Sequence, residues 1–274
     1  MTRPSTGITM DDWGQRRRRK ALVREISPQF INALANYFGS GPTDLELSKD
    51  AHVKYITALK KHGLDVTILP ALAEFPDSCF VEDAAVVVNG IAVMCNLGHP
   101  SRSGEVESLR DVLSKELDII SMPKGATLDG GDVIFFDGAF LIGKSSRSND
   151  AGVEFFKSVC DENGFDTFVI EIPESTLHLS TVCSSPAPKI LITAEGHLRP
   201  EQFDGLDAEI IWIPNNESYA ANTIGFEDGS IIISDGYPIT RKIIEEKGFS
   251  VTTVDMEHIR AADGSLTCLR IFYD

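Results

Sequence analysis

The sequence predicts an α/β fold in which five ββαβ units close into a ring, a pseudo-fivefold propeller completed by the C-terminal strand. The first observation behind this is a recurring ending. "DVTILP" (65–70), "DIISMP" (118–123), "FVIEIP" (168–173) and "EIIWIP" (209–214) are short β-branched runs closed by proline, and "SVTTVDM" (250–256) is a fifth without it. Their spacing of roughly 40 to 55 residues is that of a repeat architecture. The second observation is a helix-period segment before most of these runs. The third is a turn dipeptide between two apolar runs ahead of the helices: Asn89-Gly90, Asp137-Gly138 and Asp228-Gly229.

Taken in order, "DAHVKYITALKKHG" (50–63) places Val53, Ile56 and Leu59 at helical spacing and stops at Gly63. "GEVESLRDVLSKEL" (104–117) sets Val106, Leu109, Val112 and Leu113 on one face. "NDAGVEFFKSVCDENG" (149–164) and "ITRKIIEEKG" (239–248) repeat the pattern, and the fourth unit has only a short helix near "RPEQFDG". The hairpins are "AAVVVNGIAVM", "DVIFFDGAFLIG" and "TIGFEDGSIIIS". The first unit lacks one strand, which "TCLRIFY" at the C-terminal end supplies. A doubly wound sheet fits the same alternation. Its nucleotide-binding version needs a G-x-G-x-x-G loop, and "LDGGD" is not one.

The chain of 274 residues is expected to form one domain, 1–274, with 1–19 as a flexible leader. Its hydrophobic content of 42% is that of a globular protein. No apolar run approaches a membrane span, and the N-terminal segment has no signal-peptide pattern. The five cysteines (79, 95, 160, 183, 268) form no C-x-x-C pair, so a reduced cytoplasmic protein without a zinc knuckle is expected. A net charge of −16 argues against nucleic acid and favours a cationic small molecule. The basic block Arg16 to Lys20 reads as a solvated leader.

Repeated units in a ring direct equivalent loops to one end. Polar segments open the strands at roughly equal intervals: "PDSCFVED" (76–83), "TLDGGD" (127–132), "TLHLST" (176–181), "YAANT" (219–223) and "ADGSLTC" (262–268). They bring Asp77, Glu82, Asp83, Asp129, Asp132, His178, Asn222, Asp263 and Cys268 toward one point. Singly, each has an ordinary explanation: a core histidine, turn aspartates, a solvated acidic pair, a cysteine used as a small hydrophobe. Together they describe a nucleophile, a base, an orienting acid and a set of carboxylates.

At these motifs the chain resembles the dimethylarginine dimethylaminohydrolases of the guanidino-group-modifying (pentein) superfamily. The shared segments are "LPxxxxxPDSCFVEDAAVV", "GHPSRxxE", "ATLDGGDV", "GKSSRSNDAG", "LHLSTVCS", "AAN" and "DGSLTC", in the family's order over roughly residues 20 to 273. The resemblance implies the five-bladed propeller with a site in its central channel. It makes Cys268 the nucleophile, His178 the general acid and base, and Asp129 the residue that orients the histidine. Asp77, Glu82 and Asp83 would form the substrate cradle, Arg102 and Arg147 would hold an α-carboxylate, and the Ala262 carbonyl would accept from an α-amino group. Asp77, Asp83 and Asp263 are the candidates for contact with the guanidinium. The implied reaction hydrolyses Nω-methylated arginine to citrulline and mono- or dimethylamine, with no metal or organic cofactor. Two departures stand out: Leu269 follows the nucleophile where vertebrate members have a second cysteine, and residues 27–48 match poorly where relatives carry a covering loop.

The chemistry suits these residue types. A guanidinium stays protonated and must be matched by carboxylates once it leaves water. A thiolate is needed for attack, yet an ordinary cysteine is mostly thiol at neutral pH. The bound cation and a protonated His178 both favour the thiolate. The alternatives are an arginine deiminase or hydrolase of another guanidine, an amidinotransferase, or a non-catalytic binding protein on the same propeller. The absence of an inserted helical domain and the "FVED" segment weigh against a deiminase, and the full set Cys268, His178 and Asp129 against a binding protein. A homodimer is compatible with the sequence.

Overall fold

The computed structural model describes residues 19–41 and 44–274. The expected leader, apart from residue 19, and most of the basic block lie outside the described residues. The elements run β1 (Lys20–Arg24), α1 (Leu45–Lys61), β2 (Asp65–Leu69), β3 (Ala85–Val88), β4 (Ile91–Met94), α2 (Glu107–Leu113) and β5 (Asp118–Ser121). Then follow β6 (Val133–Phe136), β7 (Ala139–Lys144), α3 (Asp150–Glu162), β8 (Asp166–Glu171), α4 (Leu179–Val182), β9 (Cys183–Ala187), β10 (Ile190–Ala194) and β11 (Glu209–Ile213). The chain ends with β12 (Ile224–Gly225), β13 (Ser230–Ser234), α5 (Pro238–Glu246), β14 (Ser250–Val254), α6 (Glu257–Arg260) and β15 (Ile271–Tyr273).

These strands form five three-stranded sheets, ordered β15-β1-β2, β3-β4-β5, β6-β7-β8, β9-β10-β11 and β12-β13-β14. In every sheet the first strand runs antiparallel to the middle one, and the middle one runs parallel to the last. A parallel neighbour needs a crossover, which the helices supply in four sheets and a 3-10 turn, Pro200–Phe203, in the fourth. The middle strands are covered on both sides, which explains their unbroken apolar runs such as "FLIG" and "SIII". Four of the first strands, β3, β6, β9 and β15, line an axial cavity of about 170 Å³.

The C-terminal strand closes the ring as expected: Ala21 pairs with Phe272 on one side and with Val66 on the other. Two of the three expected hairpin turns are two-residue turns with both residues in the left-handed region, Asn89-Gly90 and Asp137-Gly138. The third is longer. Phe226 N–H bonds the Ser230 carbonyl across Glu227–Gly229, and only Gly229 is left-handed. A fourth hairpin, unmarked by such a dipeptide, turns at Pro188-Lys189, with Lys189 at φ 57°. Helix α1 starts earlier than expected because Asp44 caps it, accepting from Leu47 N–H. Its buried face is Ala51, Tyr55, Ile56 and Leu59, and Val53 points to solvent at 61% exposure.

Each first strand is entered through a short helical turn: Val81–Ala84, Gly130–Asp132, α4, Asn215–Ala221 and Thr267–Leu269. Cys268 therefore sits in the turn before β15, not in the strand itself. Closure of the ring rests on three buried side chains, Ile271, Phe272 and Tyr273. Ile271→Ala should cost about 2–5 kcal/mol through the cavity it leaves. Urea denaturation checks this, and an unchanged midpoint would mean that the ring closes without this contact.

Candidate active site at the axial end of the ring

The entrance turns are bound to one another by side chains. Asn222 donates to the Ser180 carbonyl at 2.7 Å and to Thr267 Oγ1 at 2.8 Å, while accepting from Thr267 N–H at 3.0 Å. Glu82 accepts from Thr267 Oγ1 at 2.9 Å and from Arg270 Nη1 at 3.0 Å. Asp132 accepts from the hydroxyls of Ser145 and Ser148, both at 2.5 Å, and from Leu179 N–H at 3.1 Å. Such clamps satisfy groups that would otherwise be stranded away from water. They also fix the turns that present the site.

One small cavity, about 20 Å³, is lined by Leu34, Asp77, Phe80, Asp83, Arg102, Arg147, Leu177, His178, Ala262, Asp263, Gly264 and Cys268. Eight of the ten residues expected from the sequence are thus at one place, with Asp129 directly behind His178. Glu82 is the exception. It points from the same turn as Asp83 to the other side and faces the axial channel, where Arg270 balances it. In this structure Glu82 supports the cavity walls from the ring and lies close enough to act electrostatically on His178 and Cys268.

His178 Nε2 lies 3.1 Å from Asp129 Oδ2, and its Nδ1 is 3.8 Å from Asp83 Oδ1. Asp129 is fully buried and also accepts from Gly98 N–H at 2.7 Å. Burial works against a charged imidazole, but Asp83, the Asp129 hydrogen bond and Asp132 outweigh it and push His178 up to about 9. At neutral pH the residue is an imidazolium. The Cys268 thiol is pushed up to about 12 by burial, with Glu82 and Asp83 adding to the effect. Ser265 Oγ is 3.3 Å from its sulfur. The glycines of "LDGGD" allow the approach of these groups: a Cβ on Gly131 would stand 2.6 Å from His178 Nδ1 and 2.8 Å from Asp83 Oδ1.

Asp83 is the most connected acid. It accepts from Gly131 N–H at 3.1 Å and pairs with Arg102 Nη1 at 2.5 Å. Burial raises its pKa, yet His178 and Arg102 outweigh that and hold it below the usual carboxylate range. Asp77 lacks such a close cation, and burial pushes it up. Arg102 donates to Glu105 from Nε and Nη2, at 3.1 and 2.9 Å, and to the Phe80 carbonyl at 3.0 Å. Only part of Nη1 is uncommitted. Arg147 is freer, with Asp129 at 3.5 Å. Glu105 is the acid that closes the segment "GHPSRxxE", and its part, holding Arg102, is visible only in the structure.

The segment 33–41 covers the cavity. Asp77 accepts from Leu34 N–H at 3.0 Å, and the Ala261 carbonyl accepts from Gly41 N–H at 3.2 Å. Asp263, at φ 60°, accepts from the backbone N–H groups of Asn36, Tyr37 and Gly39. Asp263 thus lines the cavity while its carboxylate holds the amides of this segment. The cavity beside it has room for about one water.

Two outcomes are expected. Gly131→Ala should displace His178 and abolish turnover while the far-ultraviolet dichroism stays unchanged; retained turnover would show that the imidazole has room to move. For the second, His178 stands at about 9 against an ordinary 6.5, so folding takes up a proton there. Its contribution to stability, of the order of 3 kcal/mol, is whole below pH 6.5 and is lost as pH rises through about 9. Thermal midpoints measured across that window should fall in the native chain and stay flatter in His178→Asn. An equal slope in both would remove His178 as the source.

Comparison with known proteins agrees with this arrangement. A family model described as N,N dimethylarginine dimethylhydrolase, eukaryotic, matches residues 32–270. The N(G),N(G)-dimethylarginine dimethylaminohydrolase of Pseudomonas aeruginosa is 32% identical over 235 residues, 84% of this chain and 90% of that protein. That of Streptomyces coelicolor is 27% identical over 256 residues, 92% and 96% of the two chains. A mutant DDAH from Pseudomonas aeruginosa complexed with citrulline superposes with a TM-score of 0.86 at 28% identity, covering 93% of this chain and 99% of that one. The N-terminal domain of ArgZ, an arginine dihydrolase, has a TM-score of 0.84 over 92% of this chain and 96% of that one, at 16% identity, and shares the fold. The five-bladed ring is the pentein fold, and the chain belongs to the dimethylarginine dimethylaminohydrolase family.

Proposed function

We propose that this protein hydrolyses Nω-methylated arginine to citrulline and mono- or dimethylamine through a covalent intermediate on Cys268. The observation that carries it is the charge pattern of the cavity. A buried thiol and an imidazolium held by Asp129 share one cavity with Asp77 and Asp83, so a guanidinium entering there meets acids, a nucleophile and a proton donor together. The citrulline complex of the Pseudomonas aeruginosa relative and a dimethylarginine dimethylaminohydrolase adduct with S-methyl-L-thiocitrulline support the same chemistry.

In this reading the substrate cation supplies what the empty site lacks. A thiol at about 12 is scarcely ionised at neutral pH. A guanidinium placed beside it favours the thiolate, as an opposite charge does, and the thiol proton leaves to solvent because His178 already carries one. The sulfur attacks the guanidino carbon and a C–S bond forms. His178 gives its proton to the departing amine as the C–N bond breaks, leaving an alkylthiouronium on Cys268. The neutral imidazole then takes a proton from water, whose oxygen attacks the same carbon. The C–S bond breaks as the remaining hydroxyl proton leaves to solvent, and the thiolate and neutral ureido product separate. Asp129 keeps the imidazole oriented and stabilises its charged form. Arg147 and the uncommitted edge of Arg102 take the α-carboxylate, the Ala262 carbonyl takes the α-amino group, and Asp263 fastens the covering segment. No step calls for a metal. We assign the described residues 19–41 and 44–274 to one catalytic domain. We place it in the cytoplasm because its five cysteines are all free and buried.

Cys268→Ala should abolish turnover with the fold intact. Acid quench of the native enzyme with substrate should yield an adduct mapped by mass spectrometry to Cys268. An adduct on Cys79 or Cys183 would falsify the assignment. Asp83→Asn removes one charge-assisted contact worth roughly 1.5–3 kcal/mol, so kcat/KM should fall about 10- to 150-fold. An unchanged kcat/KM would leave Asp83 a purely structural acid.

Substrate class has its own test. Lysine keeps the charge of Arg147 but not its planar fork, so Arg147→Lys should raise KM. Agmatine, which lacks the carboxylate, should be processed far more slowly than Nω-methylarginine. Equal processing of agmatine, together with an unchanged KM in Arg147→Lys, would exclude an amino-acid substrate even if the cysteine chemistry stood.

A further inference from the structure

Beside Cys268 stands one neutral donor that the reaction scheme above leaves unused. Ser265 precedes it by three residues, and the Ser265 Oγ lies 3.3 Å from the sulfur. The residue is only 1% exposed. Among the described residues that hydroxyl has no hydrogen-bond partner other than the sulfur.

Local geometry explains the contact. Cys268 lies in the 3-10 turn Thr267–Leu269, and in such a turn side chains three residues apart stand one above the other. The turn before β12 fixes the chain on both sides of Ser265. Tyr219 Oη donates to the Gly264 carbonyl at 2.7 Å. Asn222 accepts from Thr267 N–H at 3.0 Å and donates to Thr267 Oγ1 at 2.8 Å. A Cβ on Gly264 would stand 2.2 Å from the Phe80 ring, so the backbone entering Ser265 runs close against the cavity wall. The hydroxyl is therefore held against the sulfur before any ligand arrives.

The surroundings give this contact a consequence. Burial, Glu82 and Asp83 all push the thiol up, whereas the Ser265 hydroxyl and backbone N–H act in the opposite direction. A hydroxyl that faces a thiol can accept from S–H. Facing a thiolate it can only donate, and a bond to a charged acceptor is stronger than one between neutral groups. The contact thus gains strength as the proton leaves.

We propose that Ser265 is a further catalytic residue, whose hydroxyl donates to the Cys268 sulfur each time that sulfur carries negative charge. The charge arises twice. It is present before attack, once the thiol proton has gone to solvent, and it returns when the C–S bond breaks and its electron pair goes back to sulfur. Ser265 keeps its own proton in both events. One hydrogen bond therefore favours the formation of the nucleophile and its departure as a leaving group. The assignment rests on Cys268 as the nucleophile and not on methylated arginine as the substrate.

The test reads the thiol apart from turnover. The ligand-free full chain and Ser265→Ala are alkylated with iodoacetamide at a series of pH values near neutrality, and the adduct on Cys268 is followed by mass spectrometry. The reagent reacts with the thiolate, so the rate follows the ionised fraction. The charged groups around the sulfur are Glu82 and Asp83, with Asp77, His178, Arg102, Arg147 and Asp263 on the cavity walls. They are the same in both chains, so a difference in rate belongs to the hydroxyl. Ser265→Ala should react about 10- to 100-fold more slowly at every pH, with a native-like thermal midpoint. With Nω-methylarginine its kcat should fall by at least that factor while KM stays within about threefold, because Ser265 is not a wall of the cavity. Equal alkylation rates in the two chains, with none in either included, would overturn the proposal. So would a lost kcat beside an unchanged alkylation rate, which marks a merely structural serine. Slower alkylation of Ser265→Ala, in a protein whose native chain leaves methylated arginine untouched, would uphold the role of Ser265 and remove the substrate reading instead.

Discussion

The buried carboxylate of Asp83 is the interaction on which the site depends. It is shared by a guanidinium, an imidazolium and a backbone amide from three different blades. An unpaired charge there would cost several kcal/mol. With Arg102 and His178 in place, the same desolvation strengthens every attraction among them. The result is a site whose charges are set before any ligand arrives. His178 is protonated because Asp83 and Asp129 flank it, and Arg102 is immobile because Asp83 and Glu105 hold it.

This cluster requires exact placement of turns that are distant in sequence, and the ring provides it through a second layer of polar clamps. Asp132 ties the turn of the third blade to α4, while Asn222 and Thr267 tie the turns of the fifth and first blades to α4 and Glu82. Glu82 belongs to this layer. Its neighbour Asp83 faces the cavity, so consecutive acids in "VED" serve opposite sides of one turn. Closure by β15 matters for the same reason, because Cys268 is delivered by the turn that leads into that strand.

The covering segment links the two layers to access. Asp77 and Asp263 hold its amides, and Phe38 rests on Tyr219. Opening exchanges hydrogen bonds to these two acids for bonds to water, a modest net cost compared with breaking the buried cluster.

Much was determined by the sequence alone. Breaker-closed strands at regular intervals specify the blades, and Asn89-Gly90 and Asp137-Gly138 specify their hairpins, because these are local properties of the backbone. The polar strand entrances specify that Asp77, Asp83, Asp129, His178 and Cys268 converge, because a ring sends equivalent loops to one end. Direction within a turn was not legible. Whether Glu82 or Asp83 faces the cavity depends on the 3-10 geometry of Val81–Ala84 and on the presence of Arg270 across the axis. Asp263 was likewise visible as an acid beside the nucleophile, but its partners are amides more than two hundred residues away in the chain. The tertiary structure decided these points, since a carboxylate's role follows from which donors surround it, and those donors come together only when the blades close.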